Sequence, residues 1–479
     1  MTLPSVGDVR WPGGVGPSPP VPPSGYTVAT APVSWTAPAS MTALVLFGLW
    51  LNLPAVAVRF HGVPRGLAYV FFLLLAVPCA THLVRRRQPV LLPRPLWWML
   101  AYFGAMAISG ASSERPDEAL DRLVAHVAEG LVLYLLVVNA VRGRTALRQA
   151  LWALLLAGVV MGTLSIGQRL TRSYDNELGG LAQVADSSVS AEGGESHPRL
   201  AGPIGEKNRY AQVMLVLLAV ATCLALEPDA PRRWRLAAAA SSVPIGAGML
   251  LTYSRGALVA AAVVLLGLGW LTGARRRHLV AGALLATAVV AMTAPETFAR
   301  LAELRGATQL AGSRAQLVDG AVLGRAVENM AAARIAIERP LIGIGPAQAR
   351  YGITAYGNEL RLKRLVGPRR AHNMYLEELA ENGVLGFIPF LGLLVSSVRA
   401  IGLRRRAADP ALAVLAGLAA YLVSAVFLHL SYQRYFFLVL GLAAVAARSR
   451  ESLAPLEVCP DQPAISSEPA PHRARDGRP

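Results

Sequence analysis

The residue best suited to acid–base chemistry is His372, in the run Ala371-His372-Asn373-Met374-Tyr375. Imidazole accepts a proton near neutral pH, as a general base must. Glu378 and Glu381 follow six and nine residues later, and either carboxylate is placed to orient the ring. A plainer reading of the same run has Asn373 starting a helix, the glutamates facing solvent and the histidine incidental. Two further segments carry positive charge among small residues. In Arg199-Leu200-Ala201-Gly202-Pro203-Ile204-Gly205-Glu206-Lys207-Asn208, glycine and proline let backbone approach a ligand while Arg199 and Lys207 supply charge. Asn208 is placed to cap the next helix, so an ordinary basic turn with a cap fits equally. In Thr252-Tyr253-Ser254-Arg255-Gly256, an arginine stands between two apolar runs. Such an arginine is costly unless paired or hydrated. It is suited either to gripping two phosphate oxygens or to snorkelling toward the membrane surface.

The elements around these residues are apolar. Of 479 residues 54% are hydrophobic and 16% charged, against about 25% charged in a typical soluble domain. Stretches long enough for a bilayer core, about 20 residues each, lie near 41–59, 66–84, 95–111, 123–141, 147–167, 209–226, 236–253, 256–273, 278–294, 384–402, 411–429 and 432–448. The sequence therefore predicts an all-α, polytopic membrane protein of about twelve transmembrane helices. The net charge of +17 does not point to nucleic acid, because its placement follows the membrane. With the N-terminus in the cytoplasm, the inner loops hold Arg85, Arg86, Arg87 and Arg94, then Arg142, Arg144 and Arg148, then Arg232, Arg233 and Arg235, then Arg275, Arg276 and Arg277, and finally Arg399 and Arg404, Arg405 and Arg406. Both termini then lie inside.

Three regions follow: a Pro- and Gly-rich, disordered N-terminus over 1–40, a membrane domain over 41–450, and a disordered polar tail over 451–479. Two outward segments are long, one at about 169–208 and one of about 90 residues at about 294–383. The second predicts a helix from Gly320 to Glu338, ended by Pro340, and a tight turn over Arg339-Pro340-Leu341-Ile342-Gly343-Ile344-Gly345-Pro346. Chemistry is expected in these segments and not within the spans. Cys79, Cys223 and Cys459 show no metal-ligand or redox spacing. There is no Walker A sequence, no His-Glu-x-x-His and no Asp-x-Asp pair, which argues against a nucleotide-sugar transferase with a metal site.

In order and in topology, these segments resemble the O-antigen ligase and O-antigen polymerase superfamily. The resemblance rests on Arg199/Gly202/Asn208, on Ser254-Arg255-Gly256, on Arg325 through Pro340 to Gly345, and on His372-Asn373 followed by nine residues and Gly383-x-x-Gly386. Asn329 stands where the family commonly has an aromatic residue, and Tyr210 where it often has Phe. The resemblance implies glycan transfer from an undecaprenyl-diphosphate carrier to an acceptor hydroxyl at the periplasmic face of the bacterial inner membrane, without a cofactor or metal. His372 would be the base and Arg199 and Arg255 the diphosphate ligands, supported by Lys207, Asn208, Arg325, Asn373, Glu378 and Glu381. The acceptor would be lipid A core for a ligase or a lipid-linked repeat unit for a polymerase; membrane lipids surround the chain, and no nucleic acid partner is implied. A small-solute or bicarbonate-type transporter is the reading from a different class, though no convincing internal repeat supports it.

Overall fold

The computed structural model describes residues 37–190, 196–271, 320–362, 364–402, 409–428 and 433–451. The expected disordered termini, the run at 278–294 and residues 294–319 of the second long segment lie outside the described residues or nearly so. What is described is mostly helical.

The chain begins with α1 (Ala37–Trp50) and α2 (Leu53–Phe60), bent by 52° at the break between them. The sequence reads as one straight span here. Asn52 takes a left-handed conformation (φ 61°), Pro54 follows, and Asn52 Nδ2 donates to the carbonyl of Pro203 at 2.7 Å. A side chain committed to another segment and a proline together break the helix. The next apolar run is also interrupted, into α3 (Arg65–Leu73) and α4 (Ala76–Ala80), with a π turn over Thr81–Arg85. α5 covers Pro95–Ala111, the bounds its hydrophobicity predicts. α6 (Pro116–His126) runs through a π turn into α7 (Leu133–Ala140), and α8 spans Gly143–Thr171.

A two-stranded antiparallel hairpin follows, β1 (Gln183–Ser190) and β2 (Ser196–Gly202), pairing Gln183 with Gly202 and Val184 with Leu200. Then come α9 (Lys207–Ala225), α10 (Arg232–Leu250) and α11 (Arg255–Leu271). The second long segment holds α12 (Gly320–Glu338), whose end agrees with the sequence expectation, and α13 (Ala349–Glu359), which no sequence feature announced. α14 (Met374–Ile401), α15 (Pro410–Ser424) and α16 (Gln433–Glu451) complete the described chain.

Among the described residues, five helical stretches are long and apolar enough to cross a membrane: Pro116–Ala140, Gly143–Thr171, Lys207–Ala225, Met374–Ile401 and Pro410–Phe427. The bent α1–α2 pair makes a sixth when taken as one span. α9 is the most enclosed of them, packing against α10, α15, α11 and α8. α8 and α10 cross so closely that a Cβ on Gly162 would stand 2.0 Å from the carbonyl oxygen of Pro244. The large core built by these helices is separate from a small one beneath α12 and α13, formed by Val327, Ala331, Ile335, Ile353, Leu365 and Ala380 among others. This second core accounts for the packing of α12 and α13: they bury their own apolar surface against the start of α14.

Candidate functional site: a histidine–glutamate pair beside an arginine-bearing cleft

The site begins with a break in α14. Gly383 interrupts the helix with φ 57° and ψ −167°, which frees backbone groups on either side. The turn after α12 takes them up. Ile344 and Gly345 N–H donate to the carbonyls of Ala380 (3.1 Å) and Glu381 (2.9 Å). On the far side of the break, Val384 and Leu385 N–H donate to Pro340 (2.8 Å) and Leu341 (3.0 Å). Ser109 Oγ from α5 bonds the carbonyls of Ile342 and Glu381. Backbone meets backbone so closely that a Cβ on Gly383 would lie 2.3 Å from Leu341 O, and one on Gly343 would lie 2.4 Å from Glu381 O. The Pro-Leu-x-Gly-x-Gly turn and Gly383 are thus two halves of one joint, which fixes α12 against α14.

That joint brings α12 alongside His372. His372 Nδ1 lies 2.8 Å from Glu328 Oε2, and the Glu328 side chain is 5% exposed against 28% for the histidine. With Nδ1–H donating to the carboxylate, Nε2 becomes the basic nitrogen of the ring. The expected orienting residues are elsewhere. Glu378 accepts from the Tyr102 hydroxyl at 2.6 Å and from Asn382 Nδ2 at 2.9 Å, while Glu381 Oε1 accepts from the backbone N–H of Ala349 at 3.3 Å. Both are buried and tie α14 to α5 and α13, not facing solvent. Helical spacing accounts for this: residues six and nine after His372 fall inside α14, whereas His372 precedes its first turn. Asn373 caps that turn, its Oδ1 accepting from Tyr375 and Leu376 N–H at 3.0 and 3.2 Å.

Arg325 stands three residues before Glu328 on α12, one turn away and roughly 5–6 Å between Cβ atoms for such a pair. It helps line a narrow cleft with Asn208, Gln212, Ser254, Gly256, Ser424 and Phe427. The cleft therefore gathers the starts of α9 and α11, the end of α15 and one residue of α12.

Its walls are held by hydrogen bonds that sequence alone assigned differently. The cap of α9 is Glu206, whose carboxylate accepts from the N–H groups of Asn208 (3.0 Å) and Arg209 (2.6 Å). Asn208 lies inside the first turn instead, where its Oδ1 accepts from Ser254 Oγ at 3.0 Å and its Nδ2 donates to Glu206 at 3.1 Å. Glu206 is two residues nearer the turn and charged, so it takes the orphan N–H groups first. Lys207 opens α9 and is half-buried. Arg199 is buried, with Nε and Nη2 donating to the carbonyls of Thr252 (2.7 Å) and Tyr253 (3.1 Å). It braces the α10–α11 turn, in which Tyr253 is left-handed (φ 51°) and Ser254 N–H bonds Thr252 Oγ1. Arg255 follows as the half-buried first residue of α11. Arg209, which continues the basic segment begun at Arg199 but has no role assigned there, is buried inside the bundle, where it bonds Gln212 and Tyr421.

On the side of α12 away from the bundle, Tyr356 donates to Glu338 at 2.5 Å and Arg334 bonds both Glu338 and Glu359. The Tyr356 hydroxyl and the Arg334 guanidinium hold the Glu338 carboxyl below the usual carboxylate range.

Fold and site together define a helical membrane protein in which a His–carboxylate pair stands one helical turn from an arginine that lines a cleft between helix ends. Residues 239–391 match the family model described as O-Antigen ligase, and this match supports membership of the O-antigen ligase superfamily, with ligase- or polymerase-type glycosyl transfer in general. The matched stretch runs from α10 through the Gly383 joint and includes Arg255, Arg325, Glu328 and His372; Arg199, Lys207 and Asn208 precede it. No curated protein matches the chain.

Proposed function

We propose that the protein transfers a glycan from an undecaprenyl-diphosphate carrier to an acceptor hydroxyl at the periplasmic face of the inner membrane, as an O-antigen ligase acting on lipid A core. The observation that carries this reading is the Glu328–His372 pair one helical turn from Arg325. In the step proposed, the acceptor oxygen attacks the anomeric carbon and its proton passes to His372 Nε2. The bond from that carbon to the diphosphate breaks, and the diphosphate leaves with the electron pair. Arg325 and Arg255 meet the charge on the leaving group, with no metal needed. Arg199 acts through the turn it braces, in place of the direct phosphate contact its sequence position suggested. Lys207 and Asn208 shape the entrance of α9, and Asn373 holds His372 at the head of α14. About twelve spans with both termini cytoplasmic put these groups outside.

The test supplies reconstituted protein with lipid-linked repeat units and lipid A core together. Label on lipid A core is the expected result. Longer chains left on the carrier would make the protein a polymerase, and solute flux without a glycan product would replace the reading with transport. Arg255→Lys separates grip from charge. A weakened donor affinity is expected, and full affinity would remove Arg255 from the diphosphate site.

A further inference from the structure

The face of α14 below the Gly383 joint exposes Val384, Leu385, Ile388 and Val395, as a helix bordering lipid does. The eighteen residues from Val384 to Ile401 extend about 27 Å, close to the roughly 30 Å of a bilayer core, so the joint falls at the membrane boundary. Leu385 N–H bonds the carbonyl of Leu341 and Val384 N–H that of Pro340, which sets the turn at the same level as the first lipid-facing residues. At this level Leu341 is 72% exposed and Ile337, on the last turn of α12, is 78% exposed. Neither belongs to the small core beneath α12. Arg339 stands exposed between them. Large apolar side chains flanking an exposed cation, continuous with a lipid-facing helix, suit the boundary between acyl chains and headgroups.

We propose that the end of α12 and the turn at 340–345 are seated in the bilayer that α14 crosses, with Ile337 and Leu341 among the acyl chains and Arg339 at the headgroup phosphates. The seat rests on α14 crossing the membrane and not on the chemistry of glycan transfer. It gives α12 a second support besides the Gly383 joint.

The test uses the full chain in vesicles of phosphatidylethanolamine and phosphatidylglycerol, in a Cys459→Ser background in which Cys79 and Cys223 are buried. Spin labels are placed singly through Ile337→Cys, Leu341→Cys, Ile388→Cys and Glu359→Cys. Ile388 serves as the lipid reference and exposed Glu359 as the water reference. The expected result is loss of collisional relaxation by a water-soluble nickel chelate, with retained relaxation by oxygen, at 337 and 341 as at 388. Water-like relaxation at 337 and 341, with 388 in lipid, would overturn the seat alone. Water-like relaxation at 388 would overturn the crossing itself. Shielding from both agents, or dipolar broadening between labels, would mean that protein or a second copy covers this face, and would also overturn the seat. Both labelled positions are exposed, so either one decides the matter if the other variant folds poorly.

Discussion

Replacing Glu328 by Gln removes one charge while keeping the shape of the side chain. In the native site the carboxylate is almost wholly buried and lies 2.8 Å from His372 Nδ1. That contact fixes the ring and its tautomer and stabilises the imidazolium formed when His372 takes the acceptor proton. An amide satisfies Nδ1 from either end, so the basic position is no longer confined to Nε2. Positioned general bases contribute about 10²–10⁴-fold, or about 2.7–5.5 kcal/mol of barrier. Most of that is expected to be lost in kcat, with the KM for donor little changed, because Arg255 and Arg325 are untouched. Glu328→Asp keeps the charge but is one methylene short, so part of the loss should return. The assay is a donor titration in proteoliposomes with a fluorescent lipid-linked glycan, alongside thermal unfolding of each variant. Wild-type kcat in a folded Glu328→Gln protein would refute the pairing as a catalytic device. A loss shared equally by kcat and thermal stability, with no return in the Asp variant, would reduce it to a structural contact.

The joint between the turn and α14 gives a second expectation. Gly383→Ala and Gly343→Ala place a Cβ about 2.3–2.4 Å from backbone atoms at positive φ, so each should destabilise by at least ~1–3 kcal/mol, whereas Gly246→Ala, with open space around it, should not. Melting temperatures in detergent decide this, and equal melting of Gly383→Ala and Gly246→Ala would contradict it. Tyr102→Phe leaves buried Glu378 with one donor fewer and should cost about 1–3 kcal/mol in the same assay; an unchanged melting curve would show that the contact contributes nothing. For pH, the folded state favours ionised Glu338. Its contribution to the α12–α13 pairing is therefore full above about pH 4.3 and lost as pH falls through the depressed folded value. Hydrogen-exchange protection factors in 349–359, with the intrinsic pH dependence of amide exchange divided out, should be flat from neutral pH down to that point and smaller below it, and a loss of protection on raising pH through the same range would reverse the sign.

What the sequence made legible was local. The end of α12 at Glu338 could be placed because Pro340 marks it within a few residues. α5 agreed for a similar reason, with Pro95 at its first position. The run at 41–59 reads as one span because hydropathy does not register the left-handed backbone of Asn52. The cap of α9 was misplaced by two residues because Asn208 is the commoner cap type and Glu206 is recognised by its geometry. His372 stood out as a residue type and Arg325 only through the family resemblance, but the partner of His372 did not. Glu328 lies 44 residues away on another helix, brought there by a backbone joint that appears in sequence only as scattered glycines. Arg199 illustrates the reverse: its charge was visible, while the two carbonyls that occupy it belong to a turn 53 and 54 residues later.

The most direct measurement is glycan transfer by wild-type protein and by His372→Ala in the same vesicles, with donor binding measured on both. Wild type should move label from the diphosphate carrier to acceptor, while His372→Ala binds donor normally and loses about 10²-fold or more of its turnover. Equal turnover in the two proteins would contradict the assignment of His372 as the base, and with it the role given to Glu328.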